Sequence, residues 1–271
     1  EGELPTLKYF KGVAQNVWSG LGDSDVAGSG TSADPYLITS GEELAYVMSK
    51  NGDINPDASN EWFKLANDIY LNNVFAEHWK ENTNNYEWYY AANNEDFKTK
   101  LFMGNIDGNG YCVYGIWNPL DSTAYASGLV PGIGSYTVKN VGIKQAQIVA
   151  SSFAGAIVGY CSGAATTISS CFSDNSVDLI QNNATINGGA GGIVGYHMGG
   201  SSSNILLIEN CWSAANCKSV TGQVDRANGI IGTIWNGYHK VINCYTLGNA
   251  PYFADVTNRV SLLAYDGTFV K

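Results

Sequence analysis

The chain has 271 residues and a formal net charge of −10, from 14 basic and 24 acidic side chains. Nucleic-acid backbones and anionic membranes are bound by clustered Lys and Arg, so this balance argues against both classes of partner. An acidic polysaccharide such as pectin would also be repelled unless Ca²⁺ bridged the carboxylates, and no motif supports a calcium site or another cofactor. No apolar run has the length of a membrane span. No signal peptide is recognisable at Glu1, so we expect a processed or excised piece of a secreted protein.

Residues 1–52 predict an N-terminal segment that ends in a short capping helix. A Gly-rich turn over Gly28–Pro35 precedes a short strand, Tyr36–Thr39. Ser40 and Glu43 have the spacing of a capping box, and the apolar helix face that follows is Leu44, Val47 and Met48, with Gly52 as the C-cap. We expect this helix to cover the open end of a stack of strands.

The next elements are two strand-like phrases that a long polar segment separates. The first is Phe63–Leu71, and the second resumes at Phe102 with an Asp-Gly-Asn-Gly turn at 107–110. Between them, residues 72–100 are rich in aromatic and Asn side chains. We define residues 72–100 as the aromatic insertion.

Residues 128–250 repeat one pair of phrases four times. A Gly-flanked apolar run opens each copy, and a strand-like phrase closes it. The runs are Gly128–Gly132, Gly155–Gly159, Gly192–Gly195 and Gly229–Gly232, and the closing phrases are Val138–Ile143, Ile168–Ser173, Ile208–Ser213 and Val241–Thr246. Such a return every thirty to forty residues predicts an all-β, right-handed parallel β-helix, a solenoid in a single domain 1–271. Residues 251–271 are expected to form a last rung or a C-terminal cap.

Three of the six cysteines hold the same place in consecutive repeats: Cys171, Cys211 and Cys244. Strand alternation predicts that each thiol faces the core and that the following aromatic residue faces outward. Packing is the favoured interpretation, although a disulfide between adjacent rungs is sterically possible. Cys112, Cys161 and Cys217 lie outside the pattern, and no Cys/His spacing resembles a zinc site.

The order of these phrases resembles bacterial extracellular proteins with GLUG-type repeats. The resemblance rests on the Gly-Ser-Gly-Thr opening, the Asp-Gly-Asn-Gly-Tyr turn and the Gly-Gly-Ile-Val-Gly and Asn-Cys-aromatic units, over about residues 28–250. It implies a right-handed parallel β-helix. Proteins of this shape include adhesins, polysaccharide lyases and non-catalytic xylan-binding modules attached to xylanases, so the resemblance alone leaves function open.

A catalytic role has little support in the repeats. Polysaccharide cleavage needs carboxylates grouped with each other or with a base, and the acids and bases of the repeat strands do not recur in register. We interpret His78, His197 and His239 as loop-surface side chains. Glu77, Glu81, Glu87, Glu95 and Asp96 of the aromatic insertion keep a glycosidase possible, but we expect that the protein is not an enzyme.

The aromatic insertion is the favoured binding site. Its aromatic side chains lie among several Asn residues, a mixture suited to sugar rings and hydroxyl groups, although packing onto the wall of strands is the alternative for each. These aromatic residues are Trp79, Tyr86, Trp88, Tyr89 and Tyr90. We expect Trp88→Ala to weaken ligand binding more than Trp212→Ala, without loss of folding.

A second set of candidates lies in the repeats. Phe172, Trp212 and Tyr245 predict an outward ladder with one ring per rung, for which stacking between rungs is the favoured interpretation. Trp117, Trp235 and Tyr238 lie at turns and are further candidates.

Together these patterns predict a secreted or cell-surface bacterial module. We expect it to bind a neutral plant polysaccharide, with xylan as the favoured ligand. We further expect a monomer that is tethered to a glycoside hydrolase. The alternatives are an adhesin or structural repeat domain and a polysaccharide-cleaving enzyme.

Overall fold

The computed structural model describes residues 17–49, 60–88, 101–162, 165–183, 188–199, 205–220, 227–235 and 238–247. These residues form one α-helix, one short 3-10 helix at Trp79–Glu81 and 24 strands. The elements up to the first repeat are β1 (Tyr36–Ile38), α1 (Gly41–Ser49), β2 (Glu61–Leu65), β3 (Ile69–Tyr70), β4 (Gly104–Asp107), β5 (Cys112–Tyr114), β6 (Ala126–Ser127) and β7 (Val130–Ile133). The middle strands are β8 (Thr137–Lys139), β9 (Gly142–Lys144), β10 (Ala146–Ala150), β11 (Phe153–Gly155), β12 (Val158–Ser162), β13 (Thr166–Ser169), β14 (Phe172–Ser173), β15 (Val177–Gln181) and β16 (Gly189–Gly191). The last strands are β17 (Val194–Met198), β18 (Leu206–Glu209), β19 (Trp212–Ser213), β20 (Asn216–Ser219), β21 (Ala227–Asn228), β22 (Ile231–Trp235), β23 (His239–Ile242) and β24 (Tyr245–Thr246).

The strands form five sheets in which the pairings of named strands are parallel. Sheet 1 has the order β1-β2-β4-β8-β13-β18-β23, and sheet 2 has the order β3-β5-β9-β14-β19-β24. Sheet 3 is β10-β15-β20, sheet 4 is β6-β11-β16-β21, and sheet 5 is β7-β12-β17-β22. From β8 onward the chain visits the five sheets in this order before it returns to sheet 1. The protein is therefore all-β, with parallel sheets.

The sequence repeats correspond to the rungs of these sheets. Val138, Ile168, Ile208 and Val241 are register partners in sheet 1. Val130, Val158, Val194 and Ile231 are register partners in sheet 5. The predicted alignment of the four copies is confirmed.

A single left-handed residue turns the chain from sheet 1 into sheet 2 in each repeat. Asn140, Ser170, Asn210 and Asn243 have φ values of 55°, 53°, 54° and 51°. Asn visits this region more readily than most residues because its short amide can bond locally. The Asn243 amide also donates to Asn210 Oδ1 at 3.2 Å, so the turn residues contact one another between rungs.

The repeated cysteines lie in the core immediately after these turns. Cys171, Cys211 and Cys244 are at most 2% exposed, and all six cysteines are free thiols. The backbone N–H groups of Cys171 and Cys211 each point at the sulfur of the next rung, at 3.4 Å. The packing interpretation is thus confirmed, and the disulfide alternative is not observed.

Helix α1 packs into the same core through its apolar face. Ser40 Oγ accepts a hydrogen bond from the N–H of Glu43 at 3.1 Å, which confirms the predicted cap. Leu44, Val47 and Met48 are buried in one cluster with Ile69 and Trp88. The expected C-cap, Gly52, and the expected C-terminal cap, 251–271, lie outside the described residues.

Candidate functional site

The described part of the aromatic insertion forms an edge of the strand assembly. The N–H of Trp88 donates to the carbonyl of Trp117 at 2.8 Å, and Trp117 is bridged in parallel to Gln147 of β10. On the far side of the insertion, Phe102 is bridged in parallel to Ile133 of β7. In the rung that begins with β2 and β3, Trp88 therefore lies at the place of sheet 3, and Phe102, just after the insertion, lies at the place of sheet 5.

Trp88 belongs to the core. Its side chain is 1% exposed, and its indole N–H donates to the carbonyls of Gly128 at 3.1 Å and Leu129 at 3.3 Å. The Asn118 side chain donates to the Trp88 carbonyl at 2.8 Å. A ring with these contacts has no face for a ligand, so the prediction that Trp88 forms a sugar platform is corrected.

Trp79 and Trp117 form a smaller buried cluster with Val74. They are 8% and 9% exposed, and the Trp117 indole N–H donates to the carbonyl of Lys80 at 2.7 Å. The Lys80 ammonium in turn contacts Asp178 Oδ2 at 2.6 Å, which fastens the insertion to β15. Trp79 and Trp117 therefore fold the insertion down and are also corrected as ligand-binding candidates.

Two aromatic residues of the described insertion are exposed: Tyr86, with 45% exposure, and Phe75, with 36%. The Tyr86 backbone is held by Asn72, whose Oδ1 accepts from the Tyr86 N–H at 2.8 Å. Tyr89 and Tyr90 lie outside the described residues. Within its described residues the insertion thus supplies two exposed aromatic rings, Tyr86 and Phe75.

The larger aromatic surface lies on the outer side of sheet 2. We call it the aromatic strip, and it consists of Tyr70, Tyr114, Lys144, Phe172, Trp212 and Tyr245. Phe172 and Trp212 are register partners with ring centroids 4.8 Å apart and planes 4° apart. Trp212 and Tyr245 are also register partners, at 6.1 Å and 8°. Tyr70 and Tyr114 stack at 4.6 Å and 15° on earlier rungs.

A lysine and a glycine join the two stacks of the aromatic strip. Lys144 is the register partner of Tyr114, and its ammonium lies 6.0 Å from the Tyr114 ring centroid and 5.6 Å from that of Phe172. Gly142 faces the Phe172 ring, and a Cβ at this position would overlap that ring. Because Gly142 has no side chain, the Phe172 ring can pack over the Gly142 backbone and approach the Lys144 ammonium.

The stacking determines which parts of the rings a ligand can reach. Nearly parallel rings cover each other's faces, so Phe172 and Trp212, both half-buried, present mainly ring edges. Tyr245 ends the described row and is 40% exposed. The expected stacking between rungs is confirmed, and contact with a ligand would combine the ring edges with the end of the row at Tyr245.

Trp235 and Tyr238 lie on either side of residues 236–237, which are outside the described ranges. Trp235 is 58% exposed, and it is the register partner of Met198 at the end of β22. Tyr238 is half-buried, and its carbonyl accepts from the N–H of Leu206 at 3.0 Å. Trp235 therefore offers a more accessible indole than Trp212.

Two of the three histidines differ from their predicted surface placement. His78 is exposed, as expected, but His197 lies in β17 with 0% exposure and His239 lies in β23 with 8%. Neither ring nitrogen of His197 has a hydrogen-bond partner among the described residues. Burial, together with the nearby His239, lowers the pKa of His197 to about 4. His197 is thus neutral at physiological pH.

Over the described ranges, no group of three or more His, Cys, Asp or Glu side chains is arranged to hold a metal ion. The helices of those ranges are also too short and too polar to cross a membrane.

The chain matches no protein-family model and no curated protein. It is similar to a crystal structure described as a "putative immunoglobulin A1 protease" from Bacteroides ovatus, with 20% identity and a TM-score of 0.50. The match covers 82% of this chain and 59% of that chain, so this chain spans about three fifths of its structural neighbour. At this identity the structural similarity supports the parallel β-rich fold, but it is no evidence for any activity of this chain.

Proposed function

We propose that the protein is a non-catalytic carbohydrate-binding module for a neutral plant polysaccharide, xylan first. The observation that carries this proposal is the aromatic strip, in which Tyr70 and Tyr114 form one row of register partners and Phe172, Trp212 and Tyr245 form a second row. We further propose a secreted bacterial monomer, tethered to a glycoside hydrolase in a longer chain.

The architecture proposed for this module is a right-handed parallel β-helix. The chain passes repeatedly through sheets 1 to 5 in the same order, as a coil would. Connections between parallel strands of one sheet are right-handed in about 98% of cases, which favours that hand. Such a coil supports the strip on a rigid wall, so a ligand need not order the side chains that it contacts.

The strip suits an extended sugar chain in length and chemistry. Its six strands, about 4.8 Å apart, span roughly 24 Å along the stacking direction. Apolar faces of pyranose rings pack on aromatic carbon, while the Tyr hydroxyls and the Lys144 ammonium can bond to sugar hydroxyls. A few such contacts, at about 0.5–1.5 kcal/mol each, correspond to roughly millimolar to tens of micromolar affinity. Weak binding is sufficient for a module tethered to an enzyme.

Affinity electrophoresis tests the proposal on the whole chain. The protein should be retarded in gels that contain arabinoxylan or glucuronoxylan, and it should release no reducing ends or unsaturated products from either polymer. Product release would show a polysaccharide-cleaving enzyme instead. Absence of retardation by a panel of plant glycans would contradict the proposal and favour the adhesin alternative.

A further inference from the structure

Lys144 is the cation of the aromatic strip, and it lies between the two stacks of rings. Its ammonium is within 6.0 Å of the ring centroids of both Tyr114 and Phe172. The side chain is partly exposed, so a ligand that follows the strip would pass over this charge. A cation between two aromatic rings can attract an anionic group on a molecule that packs against those rings.

Lys144 differs from Lys80 and Lys139 in its charge balance. Lys80 is paired with Asp178 at 2.6 Å, and Lys139 is paired with Asp107 at 3.3 Å. Within the described ranges, Lys144 has no carboxylate within the 4.0 Å of an ion pair. The acid beyond it on the next rung is Asp174, whose Oδ1 already accepts from the N–H of Ser176 at 2.9 Å and from the Ser176 hydroxyl. Lys144 therefore keeps its charge available for a ligand.

We propose that Lys144 is a specificity residue that recognises the carboxylate of a uronic acid branch on an otherwise neutral β-linked chain. This inference rests on the proposed carbohydrate-binding function and narrows its ligand to sparsely carboxylated xylan. The net charge of −10 on the protein repels a polysaccharide in which every sugar carries a negative charge. A polysaccharide with only occasional carboxylates is repelled less strongly, and one of those carboxylates can form an ion pair with Lys144.

The test compares two forms of one polymer. Glucuronoxylan is used as prepared and after reduction of its carboxyl groups to primary alcohols, so the backbone is unchanged. Binding is measured for the parent protein, Lys144→Gln, and the matched control Lys139→Gln, whose lysine is already paired. The parent should bind native glucuronoxylan roughly twofold to fivefold more tightly than the reduced polymer, as expected for one partly exposed ion pair. The preference should shrink with added salt.

In Lys144→Gln the preference should disappear while binding to the reduced polymer stays within about twofold of the parent. Lys139→Gln should keep the full preference. Equal binding of both polymers by the parent, or an equal loss in both variants, would overturn the role of Lys144 and leave the carbohydrate-binding proposal standing. Absence of binding to either polymer by the parent would overturn the carbohydrate-binding proposal itself, and Lys144 recognition with it.

Discussion

The indole of Trp88 packs edge-on against the indole of Trp18, with ring centroids 5.5 Å apart and planes at 75°. Trp18 comes from the segment before β1, and its backbone N–H donates to the carbonyl of Tyr70 at 2.9 Å. The contact thus joins the start of the described chain to the aromatic insertion inside one core cluster. The richest aromatic segment of the sequence stabilises the N-terminal end of the strand assembly.

Trp88→Ala should destabilise the protein strongly. Removing a buried Trp side chain typically costs about 3–5 kcal/mol, and here two backbone carbonyls would also lose their donor. Denaturant unfolding followed by circular dichroism measures the loss. This expectation replaces the earlier one, in which Trp88→Ala weakened binding without loss of folding.

Tyr86→Ala is the matched control from the same insertion, since the Tyr86 ring is 45% exposed. Its unfolding free energy should stay within about 1 kcal/mol of the parent value. A Trp88→Ala protein as stable as Tyr86→Ala would show that the insertion does not close the core.

Stability should fall in mild acid because of His197. The folded-state pKa is about 4, whereas an unfolded His titrates near 6.5, so the unfolded chain binds more protons between these values. Above pH 6.5 both states are neutral and the group has no effect. Lowering the pH from 7.5 to 4.5 should therefore remove on the order of 2 kcal/mol through this residue.

Urea unfolding at several pH values checks this dependence. His197→Leu, which removes the buried ring nitrogens, should have a flatter profile below pH 6.5. His78→Gln, at an exposed position, should retain the profile of the parent. Identical acid profiles for His197→Leu and the parent would show that His197 is not the responsible group, and would point to His239 or to carboxylates.

The six thiols should be unreactive in the folded protein. All are free and buried, and burial raises the pKa of Cys161 and of Cys217 to about 12 each. A thiol reagent at pH 8 should label none of them rapidly in the native state and all six in denaturant. Fewer than six reactive thiols in denaturant without reductant would reveal a disulfide and contradict the packed ladder.

The repeat register could be predicted from sequence because local patterns determine it. An Asn or Ser precedes each of the repeated cysteines Cys171, Cys211 and Cys244, and an aromatic residue follows it, so alternation alone places Cys211 inside and Trp212 outside. The same holds for the Ser40 cap, since its partner Glu43 is three residues away.

The fate of Trp88 could not be predicted in this way. Its burial depends on backbone pairing with Trp117 and on the carbonyl of Gly128, 40 residues away. Composition shows that the insertion is aromatic but does not show which rings turn inward. Tyr86 and Trp88, two residues apart, have opposite exposures.

His197 was predicted at a loop surface, but β17 runs from Val194 to Met198 and places it in a strand, where alternation is also broken. Val194 and His197 are both buried in β17, although they are three residues apart, and the register pairs with β22 omit Gly195. Tyr196 joins an outer cluster with Phe153 and Tyr160. A period of two therefore gives the wrong face for His197.

The most direct test of the account is a binding comparison among three single variants, measured by calorimetry with glucuronoxylan. Trp212→Ala and Tyr245→Ala alter the aromatic strip, and Tyr86→Ala removes the most exposed of the described Phe, Tyr and Trp rings of the insertion. The account predicts that each strip variant binds about threefold to tenfold more weakly, with its fold intact, while Tyr86→Ala binds like the parent. Full binding by both strip variants, together with loss of binding in Tyr86→Ala, would contradict it and return recognition to the insertion.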